Sequence, residues 1–130
     1  MNILIVDAYP DAAETTCELV RLLGHDCRTA RSGEDAILQA AVFDLEVVFL
    51  EIRLPDLSGY DLARALRAKF SGALYLVALT ALSDDRSYVR QAGFDQHLCK
   101  PADARALARV IERARISQRD RVAPRRAAAN

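Results

Sequence analysis

An α/β domain built on a parallel sheet is the fold class this sequence predicts, and three observations predict it. Apolar runs with no polar alternation occur at residues 2–6, 47–50 and 73–79, as in strands buried on both faces. Between the strand-like runs lie segments whose apolar residues recur at three- and four-residue spacing, opened by capping residues or closed by glycine. The two patterns alternate along the chain, which calls for parallel pairing, right-handed crossovers and helices on both faces of the sheet.

Asn2 to Val6 forms the first strand and stops at Asp7. After the turn Ala8-Tyr9-Pro10-Asp11, residues Thr16, Leu19, Val20 and Leu23 mark one face of a helix that Gly24 closes. Cys27 to Ala30 is a short second strand. Ser32-Gly33-Glu34-Asp35 has capping-box spacing ahead of a second helix carrying Ala36, Ile37, Ala40 and Ala41. The third strand, Val47-Val48-Phe49-Leu50, runs into Glu51 and then into a loop broken by Pro55 and Gly59. Ser58 caps a third helix with Leu62, Ala65 and Leu66 as its buried stripe, and Ser71-Gly72 ends it.

Ala73 to Leu79 is the fourth strand, finishing at Thr80. Ser83 or Asp84 caps a short fourth helix with Tyr88, Val89 and Ala92, closed by Gly93; its apolar stripe is thin, so weak docking is expected. Gln96-His97-Leu98-Cys99 is the fifth strand and ends in Lys100-Pro101. Asp103 then caps a fifth helix with Leu107, Val110, Ile111 and Ala114 on one face. The expected architecture is a flavodoxin-like (βα)5 doubly wound sheet, strand order 2-1-3-4-5, in one domain of residues 1–116. Residues 117–130, with Arg119, Arg121, Arg125, Arg126 and Pro124, are expected to form a basic, disordered tail.

Composition narrows the function classes. The chain is 52% hydrophobic but only 6% aromatic, with no Trp, which suits aliphatic helix-on-sheet packing better than a base-stacking surface. Eighteen Lys and Arg balance eighteen Asp and Glu, so no global field recruits nucleic acid or anionic lipid. Cys17, Cys27 and Cys99 are odd in number and widely spaced, a pattern that argues for buried reduced thiols rather than a disulfide framework or a zinc site. No apolar run approaches the roughly 20 residues of a membrane span and no cleavable leader is visible, so a cytoplasmic protein is expected.

Asp7, Glu51, Thr80 and Lys100 each finish a different strand, and in a doubly wound sheet those ends converge on one crevice. With this constellation the sequence resembles the receiver domain of two-component response regulators from residue 2 to about residue 116. The resemblance is carried by the acidic turn after strand one, Leu54-Pro55 with Ser58-Gly59-Tyr60 after strand three, Leu79-Thr80 and Lys100-Pro101. It implies a switch in which an aspartate ending strand three accepts a phosphoryl group from a histidine kinase, with Mg²⁺ held by an acidic pair and a backbone carbonyl.

Two positions depart from that pattern. Glu51 stands where the phosphoacceptor aspartate belongs, and Ala8 replaces the second acid of the pair; Asp7, Thr80 and Lys100 match. One extra methylene displaces the carboxylate from an attack geometry set for aspartate, and a lost carboxylate deprives Mg²⁺ of a ligand, so phosphorylation and Mg²⁺ binding are both expected to be weak or absent. No metal or other cofactor is expected, and Asp7 and Glu51 are the residual ligand candidates. Arg53, two residues after Glu51, either folds back to pair with Asp7 and Glu51 in place of the missing cation or stays in solvent.

The resemblance further assigns Thr80 and His97 to the switch, and a resting state with His97 turned inward and Thr80 drawn towards Glu51 is expected. Tyr88 and His97 belong to the expected partner surface of fourth helix, fifth strand and fifth helix, which also offers a route to a homodimer. The reading is a pseudo-receiver, not an enzyme, with no catalytic residue of its own. It would signal by contact with a histidine kinase or other signalling protein, with nucleic acid and membrane not expected. The alternative is a working phosphoacceptor that tolerates Glu51 or uses Asp56 or Asp7.

Overall fold

The computed structural model describes residues 1–70, 74–81 and 89–129, with side chains described as far as Gln118. Five parallel strands, β1 (Asn2–Val6), β2 (Asp26–Ala30), β3 (Val47–Glu51), β4 (Tyr75–Thr80) and β5 (Gln96–Cys99), form one sheet in the order β2-β1-β3-β4-β5. That is the expected topology. β3 and β4 are buried at every position and the four last residues of β1 are too, because a strand covered on both faces must be apolar on both.

Neighbouring residues of one strand therefore serve different layers. Ile3, Ile5, Phe49 and Val77 pack against Val20 of α1 (Pro10–Leu22) and against Leu107 and Ile111 of α4 (Ala104–Ala129). Leu4, Val6, Leu50 and Leu76 pack on the opposite face against Ala36 of α2 (Gly33–Val42) and Leu62 and Leu66 of α3 (Gly59–Phe70). Each fully buried Leu, Ile or Phe contributes roughly 1.5–3 kcal/mol, so this double layer supplies the bulk of the folding energy.

Helix starts fall where the sequence puts them. Ser32 Oγ accepts from Asp35 N, Ser58 Oγ from Asp61 N and Asp103 Oδ1 from Ala106 N, each satisfying an orphan amide of a first turn. Gly24 closes α1 with φ +95°, a conformation in which a Cβ is strained. The faces differ in detail from expectation. Ala63, not Ala65, is buried on α3, and α1 buries Ala13, Cys17 and Val20 while Thr16 and Leu19 are half-buried. Alanine and threonine carry too little apolar area to mark a face, whereas Leu62, Leu66, Leu107 and Val110 lie where the spacing puts them.

Three further points correct the sequence reading. Cys17 on α1 and Cys27 on β2 are joined as a disulfide, their Cα atoms 5.6 Å apart, where reduced thiols were expected; Cys99 is free. The spacing of 10 residues suggested no pairing because only the packing of α1 on β2 brings the two together. The last helix does not stop near residue 116 but runs through Ala129, across the stretch expected to be disordered. Pro124 within the span removes one bond of the helical ladder, while the Arg, Gln and Ala around it are strong helix formers and extending an existing helix needs no new nucleus. The expected fourth helix begins in residues 82–88, outside the described residues; residues 89–93 are turns, closed by Gly93 at φ +98°.

Candidate functional site

Strand register brings the four predicted residues to one edge. Val6 pairs with Leu50 of β3, Glu51 with Leu79 of β4, and Thr80 with Cys99 of β5, so Asp7, Glu51, Thr80 and Lys100 all leave the sheet at the same level. Asp7 and Glu51 are 2% and 7% exposed, and Thr80 is fully buried, which is unusual for carboxylates and marks the site as costly to build.

Lys100 supplies the compensating charge. Its Nζ donates to Asp7 Oδ2 at 2.8 Å and to Glu51 Oε2 at 2.5 Å, one ammonium between two carboxylates. Burial alone would push the Lys100 pKa down. The hydrogen bonds to Asp7 and Glu51 and the charges behind them more than offset that and hold it above its ordinary value. Asp7 Oδ1 also accepts from the backbone N–H of Tyr9, which fixes its second oxygen. Beside this trio, Thr80 Oγ1 is buried without a hydrogen-bond partner among the described residues. An orphaned buried hydroxyl costs about 1–3 kcal/mol.

The loop after β3 is held by two devices. Gly59 opens α3 so close to the end of β3 that a Cβ there would lie 2.4 Å from Glu51 O and 2.7 Å from Ile52 Cα, and its N–H donates to Ile52 O at 2.7 Å. Only glycine allows that approach, so Gly59 positions the backbone of Glu51. Asp56 reaches across to the start of α2, where Oδ1 accepts from Gly33 N and Oδ2 from Glu34 N, both at 2.9 Å. Those amides hold the Asp56 carboxyl below the usual carboxylate range. Asp56 is thus engaged with a helix terminus rather than with Lys100. Neither device was anticipated; a Gly following a capping Ser was the one sequence signal that could have suggested the first.

Arg53 is exposed, on a loop that carries an isolated bridge between Arg53 and Ser58. The cation between the carboxylates is Lys100, which reaches Asp7 and Glu51 from the end of β5, two strands away from β3. His97 is exposed and Thr80 is not bonded to Glu51, so the expected resting arrangement, with His97 inward and Thr80 drawn to the crevice, is not the one the chain adopts. Glu51 Oε2 is directed to Lys100 rather than to the Thr80 hydroxyl. Tyr88 lies outside the described residues.

The family model of the response regulator receiver domain matches residues 3–112. The chain belongs to that family. Among solved structures, a CheY-like receiver domain from Methylobacillus flagellatus is 32% identical and superposes with a TM-score of 0.81, covering 88% of this chain and 98% of that one. The transcriptional regulatory protein TcrX of Mycobacterium tuberculosis is 36% identical over 103 residues, 78% of this chain and 44% of that protein. The sensor histidine kinase RcsC of Salmonella typhi is 28% identical over 113 residues, 85% of this chain and 12% of that protein. The receiver described here thus spans less than half the length of the curated relatives it matches.

Receivers imply a Mg²⁺ beside the strand-three acid, and the donor set here does not fit one. Mg²⁺ demands near-octahedral oxygen geometry. Ala8 offers a methyl group where a carboxylate would be needed, and the facing oxygens of Asp7 and Glu51 are taken by an ammonium. Among the described residues no cluster of three or more His, Cys, Asp or Glu side chains could hold a metal, and no helix is long and apolar enough to cross a membrane.

Proposed function

We propose that this receiver is a pseudo-receiver, a two-component signalling module that works by protein contact rather than by accepting a phosphoryl group, and without catalysis of its own. The observation that carries the reading is the Lys100 ammonium bonded to both Asp7 and Glu51. Glu51, standing where the phosphoacceptor aspartate belongs, is held by one carboxylate oxygen in a strong charge-assisted bond, and Ala8 brings no second acid to the pair. Similarity to RcsC and to the sensor protein ArcB of Escherichia coli points to histidine kinases as the class of partner, with a homodimer through the β5 and α4 face as a further route.

One observation favours a second reading. Thr80 keeps a buried hydroxyl with no partner beside Lys100, the pair that would read a phosphoryl group if one were placed on Glu51 or Asp7. Intact-mass spectrometry after incubation with acetyl phosphate and Mg²⁺ separates the two. The contact reading expects an unchanged mass; the gain of one phosphoryl group that hydroxylamine removes would establish a working phosphoacceptor. Glu51→Asp should remain nearly unreactive, and Glu51→Asp with Ala8→Asp should give a detectable acyl phosphate, because only the pair restores both nucleophile and metal ligand.

A further inference from the structure

The Cys17–Cys27 disulfide is sealed on one side and open on the other. Cys17, on α1, is fully buried, whereas Cys27, on β2, keeps 7% exposure and lines a cleft of about 590 Å³. That cleft lies at the amino ends of β1 and β2, the edge of the sheet opposite the acid crevice. Two exposed arginines stand in its wall. Arg21 Nη2 donates to Cys27 O at 3.0 Å, which sets its charge against the backbone of the cysteine itself. Its Nη1 donates to Glu14 Oε1 at 2.9 Å, in an exposed pair that water screens. The Arg28 guanidinium lies 3.4 Å from the centroid of the Phe43 ring, a contact that fixes the cation and spends none of its N–H groups. The same cleft carries two exposed acids, Asp26 and Asp44, and among the described residues neither carboxylate is bonded to a cation.

A disulfide opens when a thiolate attacks one of its sulfurs and drives out the other, so the rate depends on which half can be reached and on the charge around it. Cys27 is the half that the cleft reaches. Arg21 and Arg28 attract an incoming thiolate and any carboxylate attached to it, and a guanidinium takes a carboxylate on its planar fork. Two cations and two anions around one cleft are complementary to a thiol that carries two carboxylates and one ammonium. A thiol bearing only an ammonium meets two guanidiniums of its own sign, and a neutral thiol gains nothing from either.

We propose that this cleft is a thiol-exchange site, in which Cys27 is attacked by a low-molecular-weight thiol with the charge pattern of glutathione. The thiol gives its proton to water, and its sulfur bonds to Cys27 Sγ as the Cys17–Cys27 bond breaks. Cys17 leaves with the electron pair and takes up a proton. A second molecule of the thiol, deprotonated in the same way, attacks the sulfur of the first; Cys27 leaves as a thiolate and is protonated. Two electrons have then passed from two thiols to the protein disulfide, and the products are two protein thiols and one small-molecule disulfide. Asp7, Glu51 and Lys100 lie at the other edge of the sheet, so the proposal stands or falls independently of how that crevice signals.

Reduction kinetics of the oxidised chain test it, in a Cys99→Ser background that removes the third thiol. Glutathione, 2-mercaptoethanol and cysteamine are compared at equal thiolate concentration, with N-ethylmaleimide as quench and intact mass as readout. Each rate is divided by the rate for the same chain unfolded in urea, which takes out the intrinsic reactivity of each thiol. A buried disulfide without a site would order the three by size and leave the tripeptide slowest. The glutathione ratio should instead exceed the cysteamine ratio by about tenfold, and the excess should shrink as NaCl is raised from about 0.05 to about 0.5 M. Arg21→Gln with Arg28→Gln should remove the glutathione advantage and leave the 2-mercaptoethanol ratio unchanged, while Arg105→Gln with Arg109→Gln should alter none of the three. Single-thiol chains give a second readout: glutathione disulfide should load Cys27 in Cys17→Ser about tenfold faster than it loads Cys17 in Cys27→Ser. A glutathione ratio at or below that of cysteamine overturns the proposal, as does a double arginine variant that shifts all three thiols alike. Loading of Cys17 as fast as Cys27, or a Cys99→Ser chain whose two cysteines stay unpaired in glutathione disulfide, overturns it as well.

Discussion

Two ion clusters lie at opposite ends of the sheet and are completed to different degrees. At the amino edge, Arg67 of α3 donates from Nε and Nη2 to Gly93 O at 3.2 and 2.6 Å, from Nη1 to Leu74 O at 2.6 Å, and from Nη2 to Asp95 Oδ2 at 2.9 Å. Asp95 Oδ2 accepts in turn from Leu76 N at 2.8 Å. At the carboxyl edge, Lys100 joins Asp7 and Glu51, yet Thr80 beside them has no partner. The first cluster spends its bonds on backbone, tying α3 to the segments that lead into β4 and β5. The second spends them on other side chains and leaves a hydroxyl over. A polar network that closes on backbone holds the fold, and one that leaves a buried donor open is kept for another purpose.

The largest effect that tests this contrast is on the amino-edge clasp. Arg67→Met should cost about 3–5 kcal/mol, because it strands a half-buried carboxylate and removes the donors to two carbonyls; the urea midpoint measures it. Lys100→Met should cost less, about 2 kcal/mol, since it leaves no backbone carbonyl without its donor and Asp7 keeps the amide of Tyr9. A Lys100 variant less stable than the Arg67 variant would collapse the distinction. The pH dependence has a defined sign. The folded pKa of Lys100 is raised, so its contribution is complete below the unfolded value near 10.4 and is lost as pH rises through the folded one. The gap in melting temperature between wild type and Lys100→Met should therefore be flat from pH 7 to 10 and close only above that.

Thr80→Val should move in the opposite direction. Replacing an unpartnered hydroxyl by a methyl group of similar shape removes a desolvation cost, and a gain of about 1 kcal/mol is expected from thermal unfolding. The smallest effect belongs to Asp56→Asn. The folded pKa of Asp56 is depressed by the amides of Gly33 and Glu34, so its support is present above the unfolded value near 3.9 and fades as pH falls through the folded one. Wild type should melt slightly above the variant at pH 7, and the two should converge in acid; a gap that widens below pH 4 would rule the clamp out.

How far the sequence could be read follows from which signals are local. Strand ends were legible because a buried strand is apolar at every position, so the first polar residue, Asp7, Glu51 or Thr80, marks the edge. That alone sufficed to assemble the crevice. Which cation enters it was not legible, since Arg53 and Lys100 have similar reach. The Arg67 clasp joins residues 26 and 28 apart, and the Asp56 clamp residues 22 and 23 apart, with no periodic pattern to reveal either. The side to which His97 points is a choice between two faces of an edge strand that a four-residue run leaves open.

The Cys17–Cys27 disulfide gives the domain a property that its native contacts do not contain. A cross-link over 10 residues acts on the denatured ensemble, restricting a loop that would otherwise be free, and loop-closure entropy sets that effect at about 3 kcal/mol. It keeps the middle of α1, at Cys17, next to β2 even when every other contact has melted. The domain then has two stabilities rather than one, selected by the thiol potential of its surroundings.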